Sequence, residues 1–218
     1  MKRKAKSKLK HFALSVAVAL IVGIFLRTYV VQAYRIPSRS MEDTLLKGDF
    51  LLVNKLINRF YELKVGDIIV FEYPLNPSKD FIKRIIATEG QTVQIMNKKL
   101  YIDGQLAEGW FPSKHTDYQI FPAAYSNRDN LGPFVVPAGQ YFVLGDNRDN
   151  SQDSREWGFL EKKYVKGKAL LVYFSWAPDA GAPRWNSPYI TSFFEILFYN
   201  LTHFPWRIRW ARIGTVIR

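Results

Sequence analysis

The sequence predicts a mostly β protein of coiled antiparallel sheets, headed by a membrane-directing apolar segment and interrupted by an irregular insertion. Three observations carry this. Short runs rich in β-branched and aromatic residues recur between turn signals, with no long helical pattern separating them. A stretch of uncharged residues sits directly behind a basic head near the N-terminus. Residues 104–139 are rich in Pro, Gly, Asn and aromatics and have little periodicity.

The 218 residues are enough for one or two domains, and 48% hydrophobic and 16% aromatic content excludes wholesale disorder. Having no cysteine excludes a disulfide framework, a thiolate zinc site and a cysteine nucleophile. His11, His115 and His203 are the only histidines a Ser-His-Asp mechanism could use. The formal charge of +12 is unevenly spread. Residues 1–10 hold six cations and no acid, and residues 184–218 hold five arginines and one glutamate. That leaves 20 bases against 18 acids between residues 11 and 183, an ordinary balanced domain.

Behind the head, Phe12 to Leu26 carry no charge, and past Arg27 the apolar character continues through Tyr34. Residues 12–33 are long enough to span a bilayer if Arg27 snorkels to the headgroups. The cations in front orient such a span with the head inside. The same stretch also reads as a cleaved signal peptide, with Val31-Gln32-Ala33 as its small-residue exit. From these residues alone the two readings stand even.

Strands are predicted at 50–53, 67–71, 81–86, 92–96, 100–102, 140–144 and 170–174. Residues 178–205 are irregular apart from Phe194, Leu197, Phe198 and Leu201, which fall at helical spacing. That stripe suits a helix lying on a membrane and equally one packed on its own domain. Trp206-Arg207-Ile208-Arg209-Trp210 interleaves bases with aromatics as a nucleic-acid surface does, but a domain outside a membrane rarely meets nucleic acid.

Three segments carry chemistry. Ile36-Pro37-Ser38-Arg39-Ser40-Met41 presents two hydroxyls two residues apart, on one side of an extended segment. Phe81-Ile82-Lys83-Arg84-Ile85-Ile86 sets a lysine in an apolar strand, where inward orientation would lower its pKa and let it activate a serine. Alternation puts Arg84 on the opposite face, charged and outside. Gly145-Asp146-Asn147-Arg148-Asp149-Asn150-Ser151-Gln152-Asp153-Ser154-Arg155 is dense in Asp and Asn, yet the calcium-loop pattern fails, with Ser154 in the glycine slot and Leu160 in the bidentate acid slot. A hydrogen-bonded loop with Asp153 and Arg155 as an ion pair fits better.

Taken in order, the basic head, apolar segment, Pro-Ser-x-Ser-Met segment, Lys-Arg strand, Gly-Asp-Asn-Arg-Asp-Asn-Ser loop and closing Arg212-Ile213-Gly214 resemble the type I signal peptidases, the bacterial leader peptidases with a Ser/Lys dyad. The resemblance implies an endopeptidase that removes signal peptides from exported preproteins after Ala-x-Ala, through an acyl-enzyme. It implies Ser40 as nucleophile and Lys83 as general base, with Ser38 and the Ser40 N–H as oxyanion donors. Ser151 would orient the lysine, and Asp153 and Arg155 would support the site. Tyr34, Ile36, Leu45, Phe81 and Ile82 would line shallow substrate pockets. No metal or cofactor is implied; the partners are preproteins, the lipid bilayer and the export machinery, with no nucleic acid. The resemblance also favours the retained anchor. The implied organisation is a basic cytoplasmic head (1–11), a transmembrane anchor (12–33), a catalytic β domain (34–97 and 139–218) outside the bacterial cytoplasmic membrane, and an inserted small β lobe (98–138). Three positions depart from the family pattern. Asp43 stands where a proline is common, Arg39 separates the serines where a small residue is frequent, and Ala87-Thr88-Glu89-Gly90-Gln91 keeps only the glycine of the usual turn.

Overall fold

The computed structural model describes residues 2–57, 61–183, 185, 186 and 188–217, with the side chains of 2–10 and 13 outside the description. Helix α1 runs Lys2–Phe25 and passes through a π-helical turn, Leu26–Val30, into strand β1, Val31–Arg35. This corrects the anchor drawn over 12–33. The basic head is part of the helix, and Val31, Gln32 and Ala33 lie in a strand. Strand β2, Asp49–Asn54, is the reason: it offers a free edge that β1 takes in unbroken register from Val31↔Asn54 to Arg35↔Phe50. The uncharged part of α1, Phe12–Phe25, is 14 residues. At a rise of ~1.5 Å per residue it covers about 21 Å. Among the described residues no helix is long and apolar enough to cross a membrane.

The main sheet has eight strands. Besides β1 and β2 it holds β3 (Ile68–Tyr73), β4 (Asn76–Thr88), β9 (Gln140–Leu144), β10 (Leu160–Glu161), β11 (Val165–Ser175) and β12 (Thr215–Val216). Their order is β1-β2-β11-β3-β4-β9-β10, with β12 on β11, and every pairing is antiparallel. Both faces are covered. Ile68 and Val70 of β3 pack with Leu51, Val53, Val172 and Ile36, while Ile69 and Phe71 pack with Ile85, Val143 and Leu160 on the other side. A strand buried on both faces reads as a continuous apolar run, which is how β3 looks in the sequence.

A smaller sheet, β7-β6-β5-β8, is built from β5 (Thr92–Met96), β6 (Lys99–Ile102), β7 (Gln105–Leu106) and β8 (Leu131–Val135). The lobe therefore starts at Thr92 rather than at 98. Val93 and Ile95 of β5 join Leu100, Ile102 and Val136 in one cluster, which also takes in Phe142 and Leu144 of β9. The lobe and the main sheet share that core. After β11 the chain forms helix α3, Tyr189–Arg207, where the sequence showed only helical spacing from 194 to 201.

Arg84 does lie opposite Lys83 in the alternation, but it is not outside. It is 2% exposed. Its Nε and Nη2 donate to the Asp146 carboxylate at 2.9 and 2.7 Å, and Nη1 donates to the Gly66 carbonyl. A charge on a strand with two covered faces is tolerable only when paired. Asp146→Asn should accordingly cost about 3–5 kcal/mol in chemical denaturation, since it leaves a buried guanidinium short of its partner. Arg84→Lys should also cost more than a surface exchange of the same type, because the two-pronged contact is lost.

Candidate active site

Strand β1 delivers the chain to Ile36, whose N–H donates to the Asp49 carbonyl, and the backbone then leaves the sheet in a run of turns. Pro37 cannot continue a ladder, which helps end β1 here. Met41 and Leu45, both fully buried, pin the turns into the core beneath the sheet. Ser40 is held above them, 7% exposed. Asp43 adopts φ 82°, a conformation closed to proline, so the departure from the family pattern has a local backbone cause. Its carboxylate accepts from Lys114 Nζ at 2.9 Å, tying the turn to the neighbouring loop.

Strand β4 brings Lys83 in from the other side, opposite Ile69 of β3. Lys83 Nζ lies 2.7 Å from Ser40 Oγ in a hydrogen bond. The amine is buried beside Phe81, whose ring centroid is 5.5 Å away. Burial pushes its pKa down to about 8, partly opposed by the carboxylate of Asp153 and assisted by the Arg155 guanidinium. Ser38 Oγ stands 3.2 Å from Ser40 Oγ. Among the described residues the Ser40 N–H donates to nothing.

The loop after β9 closes the site. Asn147 donates its N–H to the Ser40 carbonyl and its Nδ2 to the Arg39 carbonyl. Asp153 receives both Nε and Nη2 of Arg155 at 2.8 Å, accepts from the Gly145 N–H, and caps the short helix α2, Ser154–Trp157. Burial opposes ionisation of Asp153, but Arg155 and these N–H groups hold its pKa below the ordinary carboxylate range. Ser151 Oγ is buried and makes no hydrogen bond to Lys83. His115 pairs with Asp149, and His203 with Tyr199 and Thr202, so neither histidine serves Ser40.

A shallow cavity of about 30 Å³ is lined by Tyr34, Ile36, Phe81 and Ile82, together with Val70 and Asp80. Its size is on the scale of one water molecule. Leu45 does not reach it; the turn after Ser40 folds that side chain into the core. Gly145 is a site residue that the sequence reading passed over. A Cβ there would meet Ser151 Oγ at 2.2 Å and the Ser40 carbonyl at 2.5 Å. The only signal for it was its place at the head of the polar loop.

Two outcomes follow. The lowered pKa of Lys83 means the unfolded chain binds more protons between pH 8 and 10.5, so this amine makes stability rise with pH across that window, by about 3 kcal/mol in all. Below pH 8 its full penalty stands, and Lys83→Met should flatten the dependence in denaturation curves taken from pH 7 to 10. Gly145→Ala should lower kcat/KM by roughly 100-fold by shifting Ser40, with the far-UV spectrum unchanged.

A family model described as signal peptidase, peptidase S26, matches residues 9–176. The signal peptidase I of Aquifex aeolicus is 37% identical, over 87% of this chain and 93% of that protein. A probable signal peptidase I-1 of Synechocystis is 41% identical, over 78% and 81% respectively. The signal peptidase I of Pseudomonas aeruginosa is 33% identical, over 73% and 70%.

Proposed function

The chain belongs to the signal peptidase family, peptidase S26, a family of hydrolases, and from that we propose that Ser40 and Lys83 cut the signal peptides of exported preproteins after Ala-x-Ala. The single observation that carries this reading is the 2.7 Å contact between a buried lysine amine and a serine hydroxyl. An amine titrating near 8 is neutral often enough at physiological pH to accept a proton.

Lys83 Nζ takes the Ser40 proton as Oγ bonds to the scissile carbonyl carbon. The Ser40 N–H and the Ser38 hydroxyl donate to the developing oxyanion. Lys83 then passes the proton to the leaving amine as the C–N bond breaks, and Ser40 carries the acyl group. Water deprotonated by Lys83 attacks the ester, and the proton returns to Ser40 Oγ as the acid leaves. Asp153 and Arg155 hold the loop against which Ser40 rests. The 30 Å³ cavity beside Ile36 and Ile82 matches a methyl side chain and would reject larger ones by overlap. Preproteins cleaved at their N-termini should show this directly. Ser40→Ala and Lys83→Arg should both abolish product, since a guanidinium does not deprotonate. Cleavage by Lys83→Arg near the wild-type rate would overturn the dyad.

The membrane disposition belongs to the same proposal. The described apolar side chains of α1 lie open, Phe12 and Ile21 each 67% exposed, with no protein neighbour to cover them. Residues 12–30 fit a single-pass anchor in the bacterial cytoplasmic membrane, with the head in the cytoplasm and the β domain outside, beside the export machinery that delivers substrate. Helix α3 supports a reading in which one face packs on the domain and the other lies on the membrane. Ser192, Tyr199, Asn200 and Arg207 turn toward the domain, while Ile190, Phe194, Leu197, Phe198 and Leu201 form an outward stripe that suits the same bilayer surface. The arginines near it are engaged internally. Arg207 bonds Asn200, Arg209 the Lys47 and Trp176 carbonyls, and Arg212 the Asp49 carboxylate. Docking of α3 should therefore be apolar and little affected by salt. The absence of cysteine allows single labels. In neutral proteoliposomes, nitroxides at Ile21→Cys and Phe198→Cys should be open to oxygen and closed to a water-soluble nickel chelate, with Thr191→Cys the reverse. A Phe198 label open to the chelate would leave α3 in water.

A further inference from the structure

A cavity of about 710 Å³ opens between residues 123–128 and the loop that closes the site. Ser151 is in its wall, and Ser151 Oγ and the Ser40 carbonyl flank the same Gly145. The cavity thus adjoins the backbone of the serine segment through Ser151 and Gly145, although Ser40 does not line it. It shares no lining residue with the small depression next to Ile36 and Ile82.

Three arginines line it, and two are engaged. Arg128 is held by Asp117 and Asp129, and Arg155 by Asp153 together with the carbonyls of Arg128 and Arg148. Arg148 is different. It is 5% exposed, yet among the described residues its guanidinium makes no hydrogen bond and no ion pair, and its Nε is sealed from solvent without an acceptor. Burial, with Arg155 nearby, pushes its pKa down to about 10, against the pull of Asp146 and Asp153. The acids at the cavity offer it no partner. Asp149 is taken by Lys98, His115 and two backbone N–H groups, and Glu156 is exposed.

A buried cation without a partner costs stability, and such costs persist where function uses them. The guanidinium fork is suited to a carboxylate. Arg148 also follows directly on Asn147, which clasps the Ser40 and Arg39 carbonyls. We propose that Arg148 binds an acidic side chain in the segment that follows the scissile bond, forming a carboxylate subsite on the leaving-group side of Ser40. The inference rests on the reading of Ser40 as nucleophile. The acyl side is assigned to the separate depression at Ile36 and Ile82, which leaves this cavity for the departing chain.

The test uses the full chain in mixed micelles and preproteins carrying Asp, Asn or Lys at each of the first four positions after the cleavage site. At one of these positions wild type should favour Asp over Asn by about tenfold in kcat/KM, with Lys poorer still. Arg148→Met should erase that ratio, and Arg148→Lys should keep part of it. Arg148→Met should also melt no lower than wild type, because it removes an unpaired buried charge. Several results overturn the inference. One is no preference for Asp in wild type at any of the four positions, and another is survival of the ratio in Arg148→Met. A third is that Arg148→Met lowers melting and all substrates alike, which marks a structural residue. The last is an effect seen only as a changed response to phosphatidylglycerol in the micelles, which assigns the site to lipid phosphate. Ser40→Ala is run beside these. If it still cleaves, the nucleophile reading fails; if it is inactive and the Asp preference is missing, only this inference fails.

Discussion

Removing one lysine amine from water is the constraint on which the rest of this structure depends. On an exposed strand Lys83 would hold its proton to about pH 10.4 and could not activate a serine near neutrality. Here strand β4 lies between β3 and β9 in a sheet whose two faces are both covered, so an inward residue at 83 is left only 4% exposed. The same coverage forces Arg84 inside on the opposite face, and Asp146 from the closing loop neutralises it. The two consecutive bases meet opposite treatment. One is given a carboxylate, while the other is given a hydroxyl and a phenyl ring and can lose its proton.

The loop from Gly145 to Arg155 makes this arrangement durable. Asp146 anchors its start to β4, Asp153 and Arg155 lock its end, and Asn147 clasps the backbone of the serine segment. Buried ion pairs are uncertain contributors to stability, but breaking one strands a charge and is costly. They fix geometry at the point where a displacement of an ångström would separate nucleophile and base. Arg148 is the one arginine of this loop whose guanidinium has no hydrogen bond or ion pair among the described residues.

Much of this was legible in the residues. Alternating and continuous apolar runs located β2 to β6, β9 and β11, because burial on one or two faces dictates those patterns, but not β1, β7, β8, β10 or β12. Lys83 stood out as a lysine within an apolar strand, whereas Ser40 was singled out by the family resemblance. What stayed hidden depends on distant partners. The change from helix to strand at Val31 coincides with the start of pairing to β2, a distant partner that local sequence does not encode. Leu45 was placed in a pocket and Arg84 in water because the turn after Ser40 and the second covered face are tertiary facts. The lobe boundary moved to Thr92 because Val93 and Ile95 answer to a core shared with β9. Gly145 mattered through a close approach that no composition reveals.

The account stands most directly on the protonation state of one nitrogen. Lysine-selective ¹⁵N labelling, with the Lys83 resonance assigned by its loss in Lys83→Met, would follow Nζ through a pH titration of the folded protein. A midpoint near 8 is predicted. A midpoint near 10.5 for Lys83 would mean the amine stays charged beside Ser40, and would contradict the account at its centre.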